Sequence, residues 1–389
     1  MPHLGMPHLV HLAAALVTTS TAVVALGGST ASASHVACGD RITADTTLDG
    51  DLVDCPNNGI IIGADDVTLD LNGHRIDGDG TEFAGCGQDE FCDVGVLNRG
   101  HDGVTVRHGS VREFLVGVWT LRVSHNRLLG IASSRNQCCG LGFFRGTRSL
   151  VRNSSASSTA RNGGPGMFLL ASNRVRVLNS SFRDNGDQGI FVGDSSHNLI
   201  KGNLFSHNRF YGVVLERADR NQVRGNRSVR DGEVGIYVAP GNRNVIAGNR
   251  VSHVGRGEGE ARAIEIDGGD HNVIARNSAQ DTEGDAILVG CPRCPVVVGN
   301  VVRRNRIRGA GEDGVHVDNA KHTLLKRNHA FGANDDGLDA NSLTTKFIRN
   351  EARRNGDLGI DAVRGAIDGG GNKASGNGDP RQCTNVTCR

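Results

Sequence analysis

One set of residues has the types and spacing for proton transfer or cation binding. Glu265, His316, Asp339 and Asp361 each stand third in a tetrapeptide that opens with glycine or alanine followed by an aliphatic residue. Asp267 and Asp318 stand two places after Glu265 and His316, and Asp313 and Asp336 immediately precede their glycines. In extended backbone alternate residues share a face, so these side chains are expected on one outward surface. Two carboxylates about 5–5.5 Å apart would suit hydrolysis of a glycosidic bond with retention, and about 6.5–9.5 Å inversion. Asp339 and Asp361, one repeat apart, approach the first class; Asp318 and Asp361 approach the second. His316 among acids would act as general acid or base near neutral pH. The same oxygens, from Asp318, Asp336 and Asp339, would equally hold calcium.

The same column begins with Phe168, Phe191, Val214 and Tyr237. The rings of Phe168, Phe191 and Tyr237 would offer flat apolar surfaces to sugars. Three repeats have a longer step from asparagine to glycine or alanine: it is 13 from Asn153 to Gly166, and 14 from Asn249 to Ala263 and from Asn300 to Gly314, against 9 or 10 elsewhere. Insertions in a solenoid tend to lie on its binding side. They are expected to wall the outward face into a groove, where Arg262 and Arg304 would neutralise a sugar acid. The alternative is a solvated structural face, because Asp and Asn accept turn N–H groups readily.

What positions these residues is an internal repeat. Gly166, Gly189, Gly212, Gly235, Ala263, Ala286, Gly314, Gly337 and Gly359 recur every 22–28 residues. An asparagine column (Asn153, Asn179, Asn203, Asn226, Asn249, Asn277, Asn300, Asn328, Asn350) keeps step. Between them lie apolar runs of three to five residues with period two, such as Gly189-Ile-Phe-Val, separated by Gly, Asn, Asp and His turns. No helical period is sustained after residue 35. The expectation is an all-β solenoid, a parallel β-helix with three short strands per rung. About thirteen rungs, each rising about 4.8 Å, make a rod of roughly 60 Å. The asparagines are expected at a turn, bonding from rung to rung.

Composition agrees. Glycine is 55 of 389 residues, and aromatics are 12 Phe, 2 Tyr and 1 Trp, which favours a narrow core of small aliphatics. Net charge is +1, so there is no electrostatic case for nucleic acid. Residues 1–33 read as an export signal, with an apolar segment Leu9–Leu26 and Ala31-Ser32-Ala33 before Ser34; a membrane anchor is the alternative. Residues 34–58 are assigned to an N-terminal cap, 59–375 to the β-helix, and 376–389 to a disulfide-containing tail. The ten cysteines fall in close pairs: Cys38 and Cys55, Cys86 and Cys92, Cys138 and Cys139, Cys291 and Cys294, Cys383 and Cys388. In an exported chain that favours local disulfides, although Cys291-Pro-Arg-Cys294 also fits a redox pair or half a zinc site.

The segment Leu69-Asp70-Leu71-Asn72-Gly73-His74-Arg75-Ile76-Asp77-Gly78 resembles the first turns of secreted right-handed β-helix proteins of the pectate-lyase-like superfamily. The repeats from about residue 115 to 372 are similar to the β-helix repeats of that group. The resemblance implies a right-handed, single-stranded parallel β-helix. It does not choose a function, since the group spans polysaccharide lyases, glycoside hydrolases, sugar epimerases, tailspikes and non-catalytic surface proteins. The Gly-His-Gly and Arg-x-Lys of polygalacturonase-like hydrolases and the Asp-Pro-His-Asp of mannuronan epimerases are absent, though Asp335-Asp336 is present. Copper-handling relatives would imply a metal role, but only three methionines occur, two of them in the signal.

Two functions are expected from these features. One is a secreted lyase or hydrolase that binds acidic polysaccharide or cell-wall glycan in the groove. The other is a non-catalytic adhesive or structural protein of the cell envelope.

Overall fold

The computed structural model describes residues 35–81, 92–157, 164–255 and 260–389. The expected export signal and Cys86, hence the Cys86–Cys92 pair, lie outside them. Among the described residues every element is a strand, and no helix is long and apolar enough to cross a membrane. The fold is a right-handed parallel β-helix. A 14-stranded parallel sheet runs from Asp40–Ile42 through Met167–Leu170 and Arg262–Ile266 to Ile360–Ala362. We call it the first sheet. The other two strands of each rung, such as Leu199–Lys201 and Leu204–Ser206, form parallel ladders of their own.

Alternation puts Ile190, Val192, Ile200 and Phe205 inside, all fully buried, with the corresponding residues stacked above and below. The repeating glycine is steric in origin. A Cβ at Gly212 would lie 2.5 Å from the carbonyl oxygen of Gly235, where no side chain fits. The pairing register reproduces the expected outward column from Phe168 to Asp361 without a slip.

The asparagine column is real, but three of its members are different residues. The ladder runs Ser180, Asn203, Asn226, Asn249, Asn277, Asn305, Asn328, Asn350 and Asn372. Each Asn Oδ1 accepts the backbone N–H of the rung before; Asn249 Nδ2 donates to Val223 O at 2.9 Å and to Asn277 Oδ1 at 3.0 Å. Asn153 and Asn179 stand one place earlier, in left-handed turns (φ 52° and 49°), so Ser154 and Ser180 take their places in the ladder. Asn300 belongs to a second ladder with Asn198, Asn221, Asn244 and Asn272. The reason is spacing: the two ladders lie five residues apart, so an inserted segment of that length maps one onto the other.

That slip moves the third insertion. The extra residues of that rung lie not at Val302–Asp313 but between Ile287–Val289 and Val301–Arg303, at the opposite edge of the first sheet. They carry the Cys291–Cys294 disulfide, which joins Cys38–Cys55 and Cys383–Cys388 among the bridges of the described residues. Cys138 and Cys139 are adjacent where the chain enters the first sheet, Cys139 buried and Cys138 half-buried.

At the N-terminal end, Asp40–Ile42 already pairs with Ile60–Ile62. At the C-terminal end the tail closes over the last rung, with Thr384 N–H on Ile360 O at 3.0 Å.

Candidate functional site

The C-terminal half of the first sheet gathers a carboxyl cluster around His316. The imidazole Nδ1 lies 3.4 Å from both Asp285 Oδ2 and Asp313 Oδ2, and Nε2 lies 3.4 Å from Asp339 Oδ2. Asn341 Nδ2 reaches His316 Nε2 at 3.3 Å and donates to Asp339 Oδ2 at 3.2 Å. Asp339 is buried, and Asp361 beside it on the next rung accepts the Thr384 hydroxyl. Oxygens of Asp336, Asp339 and Asp361 lie within 4.8 Å of one another.

Three of these acids also have scaffold work. Asp285 Oδ1 accepts the Asp313 N–H at 3.0 Å, Asp313 Oδ1 the Asp336 N–H at 2.8 Å, and Asp336 Oδ1 the Leu358 N–H at 2.6 Å. They form an aspartate ladder at the entry to the first sheet, equivalent to the asparagine ladders at the other turns.

Burial and mutual charge hold protons in this cluster. Burial raises Asp339 to about 6 against the pull of His316, and raises Asp336 to about 7. Burial raises Asp313 to about 8, with the charges of Asp285 and Asp339 adding. Burial opposes the charged form of His316, but Asp285, Asp339 and Asp313 outweigh it and raise the imidazole to about 9. At neutral pH His316 is therefore an imidazolium among carboxyls, some of which keep their protons.

A second group lies two rungs back. Glu265 is buried and rises to about 9, by burial and then by Asp267. Arg262 Nη1 approaches it at 3.5 Å and Arg262 Nε approaches Asp285 at 3.8 Å, which links the two groups. Tyr237 donates to Asp267 Oδ2 at 2.6 Å and stacks on Tyr211 at 5.2 Å. The Cys291–Cys294 sulfurs lie within 4.8 Å of Asp267.

The structure thus brings together His316, Asp336, Asp339 and Asp361, and separately Tyr237, Arg262, Glu265 and Asp267. Asp318 lies outside the Asp336–Asp339–Asp361 oxygen set; its Oδ1 accepts the Asn319 N–H at 2.7 Å. Arg304 is far from the groove in the fold. It occupies a left-handed turn (φ 58°) between the second and third strands, because Asn305 and not Asn300 continues the ladder. Phe168 is 2 % exposed and packs against Trp119 at 4.9 Å, so its ring face is covered, while Phe191 is half-buried. Of two expected loop walls, Ser154–Gly164 and Ser252–Arg262, residues 158–163 and 256–259 lie outside the described residues.

Asp285, Asn341 and Thr384 were not singled out from sequence. Asp285 had a visible signal, since it precedes Ala286 as Asp313 precedes Gly314. Thr384 had none, because only the folding back of the tail brings it to Asp361.

Residues 151–291 match a family model described as periplasmic copper-binding protein (NosD), and residues 258–385 match one described as a right-handed β-helix region. No curated protein sequence matches the chain. Among solved structures, the chain is similar to PfbA, a surface adhesin of Streptococcus pneumoniae, at 11% identity and TM-score 0.52, over 84% of this chain and 83% of that one. It is also similar to DFA-IIIase of Arthrobacter chlorophenolicus A6 in complex with GF2, at 13% identity and TM-score 0.50, over 70% and 67%. The A-module of mannuronan C-5 epimerase AlgE6 from Azotobacter vinelandii shares 14% identity at TM-score 0.43, over 85% and 80%.

Proposed function

For a chain that is a right-handed parallel β-helix of the pectate-lyase-like type, we propose a carbohydrate-active protein that cleaves a glycosidic bond over the first sheet. The observation that carries this reading is the pairing of Asp339 and Asp361. One is a buried acid raised to about 6 and the other its neighbour on the next rung, with oxygens within 4.8 Å. In this reading Asp339 protonates the leaving oxygen, and Asp361, oriented by Thr384, attacks the anomeric carbon. His316 tunes Asp339 by its charge, and Asn341 orients it. The short separation favours retention of configuration.

The substrate is a neutral glycan. The site is lined by carboxyls, Arg304 is elsewhere, and Arg262 is engaged by Glu265 and Asp285. The disulfides among the described residues suit an oxidising compartment, the envelope or the exterior. A cation held by Asp336, Asp339 and Asp361 would be a hard one such as calcium, since the donors are oxygens. A non-catalytic reading has one observation in its favour, that Asp285, Asp313 and Asp336 are already spent on backbone N–H groups.

The test is a panel of neutral and acidic polysaccharides, read by reducing ends and by the anomeric proton of the first product. We expect release from a neutral polymer with retention, lost in Asp361→Asn. Inversion would reject the Asp339–Asp361 pair, and no release from any polymer would leave the non-catalytic reading.

A further inference from the structure

We propose that a ridge of arginines on a different side of the rod binds a linear, carboxylated polysaccharide. The ridge is the turn between the second and third strands, the one turn of each rung that does not adjoin the first sheet. Four successive rungs place Arg276, Arg304, Arg327 and Arg349 there, immediately before ladder residues Asn277, Asn305, Asn328 and Asn350.

The backbone at this turn does not call for arginine. All four are left-handed, with φ from 53° to 58°, a conformation that suits glycine. Glycine does occupy the same turn in the earlier rungs, at Gly202, Gly225 and Gly248 (φ 59–69°). A Cβ at Gly225 or Gly248 would meet nothing within 4 Å, and at the ridge itself Arg276, Arg304 and Arg349 are exposed while Arg327 is half-buried. Arginine at this turn therefore carries a backbone strain that glycine would not. Stacking like charges about one rung apart, near 4.8 Å, adds repulsion. None of the four has an ion pair among the described residues to offset that repulsion.

The flanks extend the charge. Arg303 and Lys326 pair across the strand before the turn, and Arg306 lies on the strand after it. Arg308 and Arg354 lie over the exposed Phe331 ring at 5.5 and 5.6 Å. Of the acids beside the ridge, Glu351 is held by His329 at 3.1 Å and Arg353 at 2.7 Å, and Asp368 accepts the Gly370 and Thr387 N–H groups at 2.8 and 3.0 Å. At the turn before the second strand the pattern differs: Arg148, Arg174, Arg220 and Arg243 are left-handed too, but His197 and His271 interrupt the file and Asp219 and Asp270 precede Arg220 and His271. Arginine in a left-handed turn is thus common in this chain; among the described residues, four of them on successive rungs at one turn occur at this ridge.

A single file of cations, one per rung along a straight rod, complements a single-file polyanion. A bilayer would meet a plane of charge and an apolar anchor, and duplex DNA two phosphate lines across a groove. Guanidinium forks match carboxylates. The ridge and the carboxyl cluster would then bind different glycans, one holding the rod and the other being cleaved.

The experiment uses the full chain and polygalacturonate, with dextran, anionic phosphatidylglycerol vesicles and duplex DNA as comparison arms. We expect polygalacturonate to bind in a salt-sensitive manner and more tightly than any other arm. The triple variant Arg304→Gly, Arg327→Gly, Arg349→Gly should bind about tenfold more weakly, with a shallower salt dependence. Its melting temperature should not fall, because the turn is one that glycine takes. The triple Arg→Lys variant keeps the charge and should retain most of the affinity, whereas triple Arg→Gln should lose it whatever the stability. Asp339→Asn should bind the polymer unchanged, whatever becomes of catalysis. Absence of binding, equal affinity for vesicles, DNA or dextran, or undiminished affinity in both the Gly and Gln triples would overturn the proposal. So would loss of binding in Asp339→Asn, which would place the polymer on the first sheet.

Discussion

In the N-terminal half of the first sheet the outward column reads Leu97, Trp119, Gly142, Phe168 and Phe191; in the C-terminal half it reads Glu265, Leu288, His316, Asp339 and Asp361. The strands are parallel and in register throughout, so backbone does not distinguish the halves. Their side chains make different structures on that backbone. In the first half Val94, Leu97, Val116, Trp119, Cys139 and Phe168 form a small core outside the solenoid. In the second, carboxyls and one imidazole are buried against one another and retain protons. The difference teaches that the repeat positions the outward column without choosing its chemistry. A column facing away from the main core is also not thereby a surface: Phe168, Glu265 and Asp339 are all buried.

The comparison breaks most sharply on activity. Asp339→Asn keeps the shape of the side chain but removes its proton, and should lower glycan cleavage by about 10²–10⁴-fold. Phe168→Leu, in the same column, should leave the rate of the folded protein within about twofold, as a position remote from the chemistry. Rates on a cleaved neutral polymer decide it; equal losses in the two variants would show that both halves act on substrate.

Stability should divide the halves the other way. Phe168→Ala removes a buried ring packed on Trp119 and should cost about 3–5 kcal/mol in urea unfolding. Asp339→Asn at pH 7 should cost less than about 1 kcal/mol, because it replaces a charge that burial disfavours with a neutral isostere. A Phe168→Ala loss below about 1 kcal/mol would mean that the outer core contributes no packing.

The smallest effect is a slope with pH, and it belongs to the acidic half. Glu265 and Asp339 have folded values raised from 4.5 to about 9 and from 3.8 to about 6. Above the unfolded values the folded state binds more protons than the unfolded one, so stability falls as pH rises through these windows. His316, raised from 6.5 to about 9, acts in the same sense: its contribution is complete below 6.5 and lost as pH rises through 9. The melting temperature should therefore decline from about pH 5 to 9, and Glu265→Gln should flatten the alkaline part. Phe168→Leu should shift the curve without changing its slope. A flat wild-type profile would count against protons being held in the cluster.

Much of this was legible in the residues. A repeat of 22–28 with glycine before an aliphatic pair sets strand, face and register, because period-two alternation and the lack of room for a Cβ leave few other arrangements. The outward column followed from the same rule. The asparagine ladder was legible in kind but slipped at Asn153, Asn179 and Asn300, since neighbouring Asn and Ser look alike until hydrogen bonds choose between them. That slip displaced the third insertion and brought Arg304 into a groove it does not line.

What the sequence determined by itself was the one-dimensional part: rung length, the inward residues and the order of chemistry along each column. Those depend on contacts between a residue and its counterpart one repeat away, which spacing encodes. Only the tertiary structure decided what lies across columns. It set Asp285 and Asp313 against one edge of His316, folded the tail so that Thr384 meets Asp361, and turned Arg304 onto the ridge with Arg327 and Arg349. Each of these depends on the angle at which a turn sends the chain onward, and on burial by segments distant in sequence, neither of which a repeat period contains.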